Sequence, residues 1–196
     1  MMLIRGMTLL AFASRVAGFA PRAGARLGRA PLRMISVGDS VPMDGEFMTL
    51  GSGGPGPLKY DEVFKGKKVV VVGVPGALTP TCSEKHVPGF LSKQDEFKAK
   101  GVDSIAVLSV NDPFVMGVWK EKLGAGDDVA MLADGGAQFV SAADIGFDTG
   151  GFGGTRCTRM SMLVNDGKVE QVFMEEGGGY TESGEGSNAD HMLAQL

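Results

Sequence analysis

Residues Lys68–Phe90 read KVVVVGVPGALTPTCSEKHVPGF. The opening run, Lys68–Val74, is β-branched throughout apart from Lys68 and Gly73, the composition of a strand buried on both faces. It leads directly into a turn built with Pro75, Gly76 and Pro80, and Cys82 stands where the next helix should begin. A helix N-terminus presents unpaired N–H groups and about half a unit of positive charge. Both favour a thiolate over a thiol. Thr79 brings a hydroxyl that can reach the sulfur or a bound oxygen, while Pro75 and Pro80 lack N–H donors and stiffen the turn, which screens the sulfur from bulk water. The alternative reading of Cys82 is a buried structural cysteine, since free cysteine is among the most buried residue types.

Working outward, Val102–Val110 and Val129–Ala133 are further apolar runs suited to strands. Arg159–Val164 and Val169–Phe173 flank Asn165-Asp166-Gly167, which predicts a hairpin. Helices are expected between them. Ser83–Lys100 carries Val87, Phe90, Leu91 and Phe97, with a bend at Pro88. Asp112–Leu123 starts with Asn111 or Asp112 as cap and Pro113 in the first turn. Ser187 is placed to cap a last helix containing Met192, Leu193 and Leu196. Gly51–Pro57 and Gly146–Thr155 read as Gly-rich loops too short to link domains. This order of elements predicts a single α/β domain over residues 35–196, thioredoxin-like, with a central mixed β-sheet flanked by helices.

The spacing Pro75-x-x-x-Thr79-x-x-Cys82 resembles the active-site pattern of peroxiredoxins, and the longer string VPGALTPTCSEKHVPGF resembles the type II, peroxiredoxin 5-like branch. The likeness continues through FKAKGVDSIAVLSVNDPFVMGVW, Leu132–Asp134 and TRMSMLVNDGKV, covering nearly all of residues 36–196. It implies a thiol-dependent peroxidase that reduces hydrogen peroxide and organic hydroperoxides through a cysteine sulfenic acid. By position, Cys82 is the peroxidatic cysteine, Thr79 orients the peroxide, Pro75 shields the sulfenate, and Arg159 stabilises the thiolate and polarises the peroxide. Arg159 also fits on its own terms, because an Arg in an apolar strand usually has a buried anionic partner. His86, four residues after Cys82, falls on the same helix face and is read as a support to the site, not as a base.

The pattern breaks at the second cysteine. By resemblance, plant-type relatives carry a resolving cysteine at the position of Val107 and animal relatives carry one near Glu182, and both positions are vacant here. Cys157 is the remaining candidate, since on a regular strand it would face the same side as Arg159. The other route is direct reduction of the sulfenate by glutathione and glutaredoxin, or by thioredoxin. A peroxide sensor, oxidised at Cys82 without rapid turnover, is the alternative function. A thioredoxin-type dithiol oxidoreductase is disfavoured because residue 85 is Lys where Cys-x-x-Cys needs a second cysteine. The resemblance also implies a homodimer, to which Phe47, Phe114 and Trp119 could contribute if they are not core residues. No cofactor is implied. His86 and His191, the two histidines, lack neighbours at metal-ligand spacing.

Charge and composition bound the remaining classes. Hydrophobic residues make up 43% and charged residues 21%, as in ordinary globular proteins, and no apolar run is long enough to span a membrane. Residues 1–38 hold six Arg and no Asp, Glu or Lys, so the remaining chain carries 13 basic against 23 acidic residues, a net of −10. An acidic domain has no electrostatic footprint for nucleic acid. Residues 1–34 read as a targeting presequence: a short apolar stretch around Arg5, small residues before Phe19, then an Arg- and Ala-rich tract free of acid. That order resembles the bipartite plastid presequences of algae with secondary plastids; a mitochondrial presequence is the alternative.

Overall fold

The computed structural model describes residues 34–196. The presequence read over residues 1–34 lies, apart from Met34, outside the described residues. The chain runs through β1 (Glu46–Gly51), β2 (Gly54–Lys59), α1 (Tyr60–Phe64) and β3 (Lys68–Val74) to a π-helical turn at Cys82–His86. Next come α2 (Val87–Leu91), α3 (Gln94–Ala99), β4 (Ser104–Ser109), α4 (Pro113–Leu123), β5 (Val129–Ala133) and α5 (Gln138–Ala142). The short strands β6 (Gly146–Asp148) and β7 (Thr155–Cys157) precede β8 (Met160–Asn165), β9 (Lys168–Met174) and α6 (Ala189–Ala194).

The main sheet has the order β2-β1-β5-β4-β3-β8-β9. Strand β3 pairs parallel with β4 and antiparallel with β8, so the sheet is mixed and β3 lies well inside it. Its valines alternate between two cores. Val69 and Val71 pack with α1 and α5 through Tyr60, Phe64 and Phe139. Val70, Val72 and Val74 face the helices α2, α3, α4 and α6 through Phe90, Phe97, Trp119 and Met192. A strand covered on both faces explains the unbroken valine run. This is the thioredoxin-like arrangement expected from the element order.

Four local expectations need correction. In the two expected Gly-rich loops, Gly54–Pro57 belongs to an edge strand, β2, paired antiparallel with β1, where Pro55 and Pro57 are tolerated, and Gly146–Asp148 forms β6, paired antiparallel with β7. The helix expected over Ser83–Lys100 is broken into three pieces. Pro88 has no N–H for an α-helical bond to Glu84, and the chain absorbs this by a wider turn in which the Val87 N–H reaches the Cys82 carbonyl. Asn188, not Ser187, caps the last helix, accepting from the His191 N–H. Core packing is the preferred reading for Phe47, Phe114 and Trp119; Phe47 and Trp119 are fully buried as that requires, but Phe114 is exposed.

Candidate active site

The turn after β3 is set by hydrogen bonds from its own residues. Asn111 Oδ1 accepts from the Ala77 N–H at 3.0 Å and from the Ser109 hydroxyl at 2.7 Å, which ties the turn to the end of β4. Leu78 takes a left-handed backbone, φ 64°, and the helical segment opens at Pro80. Thr79 donates its hydroxyl hydrogen to the Gly76 carbonyl at 2.9 Å, leaving its lone pairs as acceptors. Cys82 falls in the first turn of the helical segment and is fully buried. From the far side, the Trp119 indole N–H donates to the hydroxyl of Ser83, fixing that turn against α4.

Arg159 is buried and reaches the sulfur directly. Its Nη1 lies 3.4 Å from Cys82 Sγ and 3.4 Å from His86 Nδ1, and its Nε donates to the Gly178 carbonyl at 3.2 Å. The guanidinium also lies 5.6 Å from the ring centroid of Tyr180. Nη1 carries two hydrogens, one for the sulfur and one for the imidazole. A guanidinium at that distance stabilises negative charge on sulfur, and a buried cation needs such a partner.

The tautomer of His86 follows from its neighbours. The Ser187 carbonyl, 3.0 Å from Nε2, can only accept, so Nε2 carries the proton and Nδ1 accepts from Arg159. Burial, with the Arg159 cation beside it, lowers the imidazole pKa from 6.5 to about 4 against the opposing pull of the Ser187 bond. The ring is therefore neutral at physiological pH and fully engaged. It aims Arg159 and has no free lone pair for base catalysis.

Glu175 organises the segment that supplies these carbonyls, a feature with no signature in the sequence. Its carboxylate accepts from the backbone N–H and hydroxyl of both Thr181 and Ser187 at 2.9–3.1 Å. Its own N–H donates to the Arg159 carbonyl at 2.9 Å. Burial pushes this carboxyl up, but the bonds from Ser187 and Thr181 outweigh it and hold the pKa below the usual range. Glu182, at one vacant cysteine position, pairs with Lys85 on the surface at 2.8 Å.

Cys157 lies close to the end of β3 but on the other face of the sheet from Cys82. The chain bends at Thr158–Arg159 between β7 and β8, so the two side chains do not share a face as a regular strand would require. Cys157 packs in the core of α1 and α5, whereas Cys82 packs in the core across the sheet. A methyl added to Gly73 of β3 would sit 2.9 Å from Cys157 Sγ, so the sulfur lies directly against the strand's backbone. Both cysteines are free, and burial pushes the Cys157 thiol far up.

Pro75, Thr79 and Arg159 line a cleft of about 470 Å³ together with Phe147, Phe152 and Arg156. This site sits in a chain with many recognisable relatives. The Redoxin family pattern matches residues 36–193. The chloroplastic peroxiredoxin-2E-2 of Oryza sativa subsp. japonica is 43% identical over 176 residues, spanning 83% of this chain and 72% of the rice protein. Reduced Prx3 of Vibrio vulnificus, solved in complex with hydrogen peroxide, aligns with a TM-score of 0.75 and 43% identity over 82% of this chain and 98% of its own. Peroxiredoxin 5 of Alvinella pompejana aligns with a TM-score of 0.69 and 31% identity, covering 82% and 97% respectively.

Proposed function

This chain belongs to the peroxiredoxin family and is a thiol peroxidase, and from that premise we propose that Cys82 is its peroxidatic nucleophile, working through a sulfenic acid. The single observation that carries this reading is the 3.4 Å approach of the buried Arg159 guanidinium to the Cys82 sulfur. The thiolate attacks one peroxide oxygen. The S–O bond forms as the O–O bond breaks, and water or an alcohol leaves after taking up a proton, so that sulfur gives up two electrons to the peroxide. Thr79 accepts a hydrogen bond from the peroxide O–H, since its own hydrogen is committed to Gly76. Arg159 stabilises the developing charge on the departing oxygen. Pro75 closes the turn over the sulfenate.

Reduction of the sulfenate is assigned to an external thiol: glutathione with glutaredoxin, or thioredoxin. The position of Cys157 across the sheet and its poor thiolate character argue against a resolving role. Assignment to the type II branch rests on the motif string and on the likeness to peroxiredoxin 5. A plastid destination rests on the presequence reading and the chloroplastic rice relative, and homodimer formation on family resemblance with Phe114 exposed.

The test is stopped-flow oxidation by hydrogen peroxide of residues 35–196, which hold the whole of the family match, followed by turnover with glutathione and glutaredoxin. Fast oxidation lost in Cys82→Ser, with sustained turnover retained in Cys157→Ser, is the expected result. Oxidation that stalls after about one equivalent would instead make the protein a peroxide sensor, and oxidation unaffected by Cys82→Ser would remove the assigned nucleophile.

A further inference from the structure

Hydrogen peroxide offers neither charge nor apolar surface, yet the cleft lined by Thr79 and by Arg159, the residue that touches Cys82, has both. Phe152, with 89% of its surface exposed, and Phe147 both line it. Beside them is Arg156, which the sequence reading did not single out. It spends one N–H on the Val110 carbonyl, at 3.2 Å, and its Nε–Nη2 edge lies against Gly153, where any methyl would overlap it, which leaves the outer N–H groups of Nη1 and Nη2 toward the cleft. Nη1 also comes within 4.0 Å of the position a side chain on Gly76 would occupy, so the cation reaches the turn that holds Thr79. No Asp or Glu lines the cleft, and among the described residues Arg156 has no ion-pair partner. A half-buried guanidinium with free N–H donors, in a cleft without acids, is built to receive an anion.

We propose that Arg156 is a carboxylate-reading subsite, and that the substrate class this cleft selects is an organic hydroperoxide with an apolar body and a carboxylate end. The inference rests on the reading of Cys82 as nucleophile and deepens it. The carbon body lies across Phe147 and Phe152, the carboxylate meets Arg156, and the hydroperoxide reaches Cys82 between Thr79 and Arg159. The thiolate takes the terminal oxygen, the O–O bond breaks, and the alkoxide leaves as an alcohol after gaining a proton from solvent. Sulfur is oxidised and the hydroperoxide reduced by two electrons.

The experiment compares second-order rate constants for Cys82 oxidation in residues 35–196 by a fatty-acid hydroperoxide, whose carboxylate is ionised, and by neutral cumene hydroperoxide. The ratio of the two constants should fall about tenfold in Arg156→Gln, the loss of one charge-assisted contact, and recover partly in Arg156→Lys. Gly153→Ala, which displaces the guanidinium without removing its charge, should lower the same ratio. Rising salt should slow the anionic hydroperoxide and leave the neutral one alone. Because each variant is its own control, a general loss of folding moves both constants together and leaves the ratio in place. An unchanged ratio in Arg156→Gln, or a salt-independent one in the parent, overturns the subsite. So does an effect confined to reduction by glutathione, since the carboxylate would then belong to the reductant. If neither hydroperoxide oxidises the parent, it is the peroxidase chemistry of Cys82 that fails.

Discussion

The imidazole of His86 is wedged between an acceptor, the Ser187 carbonyl, and a cation, Arg159, so a second proton at Nδ1 would set two positive charges 3.4 Å apart. Its pKa of about 4 against 6.5 unfolded makes this a stability statement with a definite sign. The folded state resists a proton that the unfolded chain accepts. The contribution is complete above pH 6.5 and is lost as pH falls through about 4. At pH 5 the loss relative to pH 8 comes to about 2 kcal/mol. Urea midpoints at these two pH values should show that drop in the parent. It should shrink in His86→Gln, which keeps a donor for Ser187 and cannot titrate. Equal losses in both proteins would mean that His86 is not held neutral. Much at this scale was legible in the sequence: Thr79, Cys82 and Pro75 sit in one short motif, and Arg159 stood out as a cation in an apolar strand. Arg156 was not legible, because its role depends on a cleft wall formed by residues from three separate segments.

Between β9 and α6 the chain makes a loop that is short of apolar anchors, and the Glu175 carboxylate clasps it by hydrogen bonds to Thr181 and Ser187. The clasp holds the two carbonyls on which the site depends, Gly178 for Arg159 and Ser187 for His86. Glu175→Ala leaves two N–H groups and two hydroxyls without their acceptor and should cost about 2–4 kcal/mol. It should also slow Cys82 oxidation about tenfold under conditions where the variant is still folded, as Arg159 loses its aim. Glu175→Gln retains one carbonyl oxygen and should fall between the two. Stopped-flow rates alongside urea curves separate the effects: a stability loss with an unchanged rate would make the clasp purely structural. Elements with local causes, such as the valine run of β3 and the Asp112-Pro113 start of α4, could be read in advance. The clasp could not, since its partners lie six and twelve residues from Glu175 with no periodicity to join them. The π-helical turn needed the missing Pro88 N–H to be weighed against helix continuity, and β2 needed knowledge that it lies at an edge.

Across the whole molecule, the sheet is what decides which thiol chemistry is open to Cys82. Strand β3 separates two cores, and the two cysteines fall on opposite sides of it. A disulfide needs Cα atoms within about 7 Å, and bringing the Cys157 sulfur to Cys82 would mean drawing it out of the core it shares with Met160 and past the backbone of β3. Reaching Cys82 from its own side is a smaller demand, because only the helical turn at Cys82–His86 has to open, and π-helical turns are less stable than α-helical ones. Val107 of β4 is fully buried on that side, in the core that contains Cys82, one strand away from β3. The substitution Val107→Cys is close to volume-conserving and should cost under about 1.5 kcal/mol. Combined with Cys157→Ser, it should convert peroxide-treated protein to an intrachain disulfide, seen as the loss of two hydrogens by intact mass and of both free thiols. The parent under the same treatment should keep its Cys157 thiol and present a sulfenic acid at Cys82 to a dimedone probe. A Cys82–Cys157 disulfide in the parent would show that the sheet opens during turnover. Failure of the Val107→Cys protein to form one would place the barrier in the helical turn instead, and reduction by an external thiol would then have to overcome that same opening.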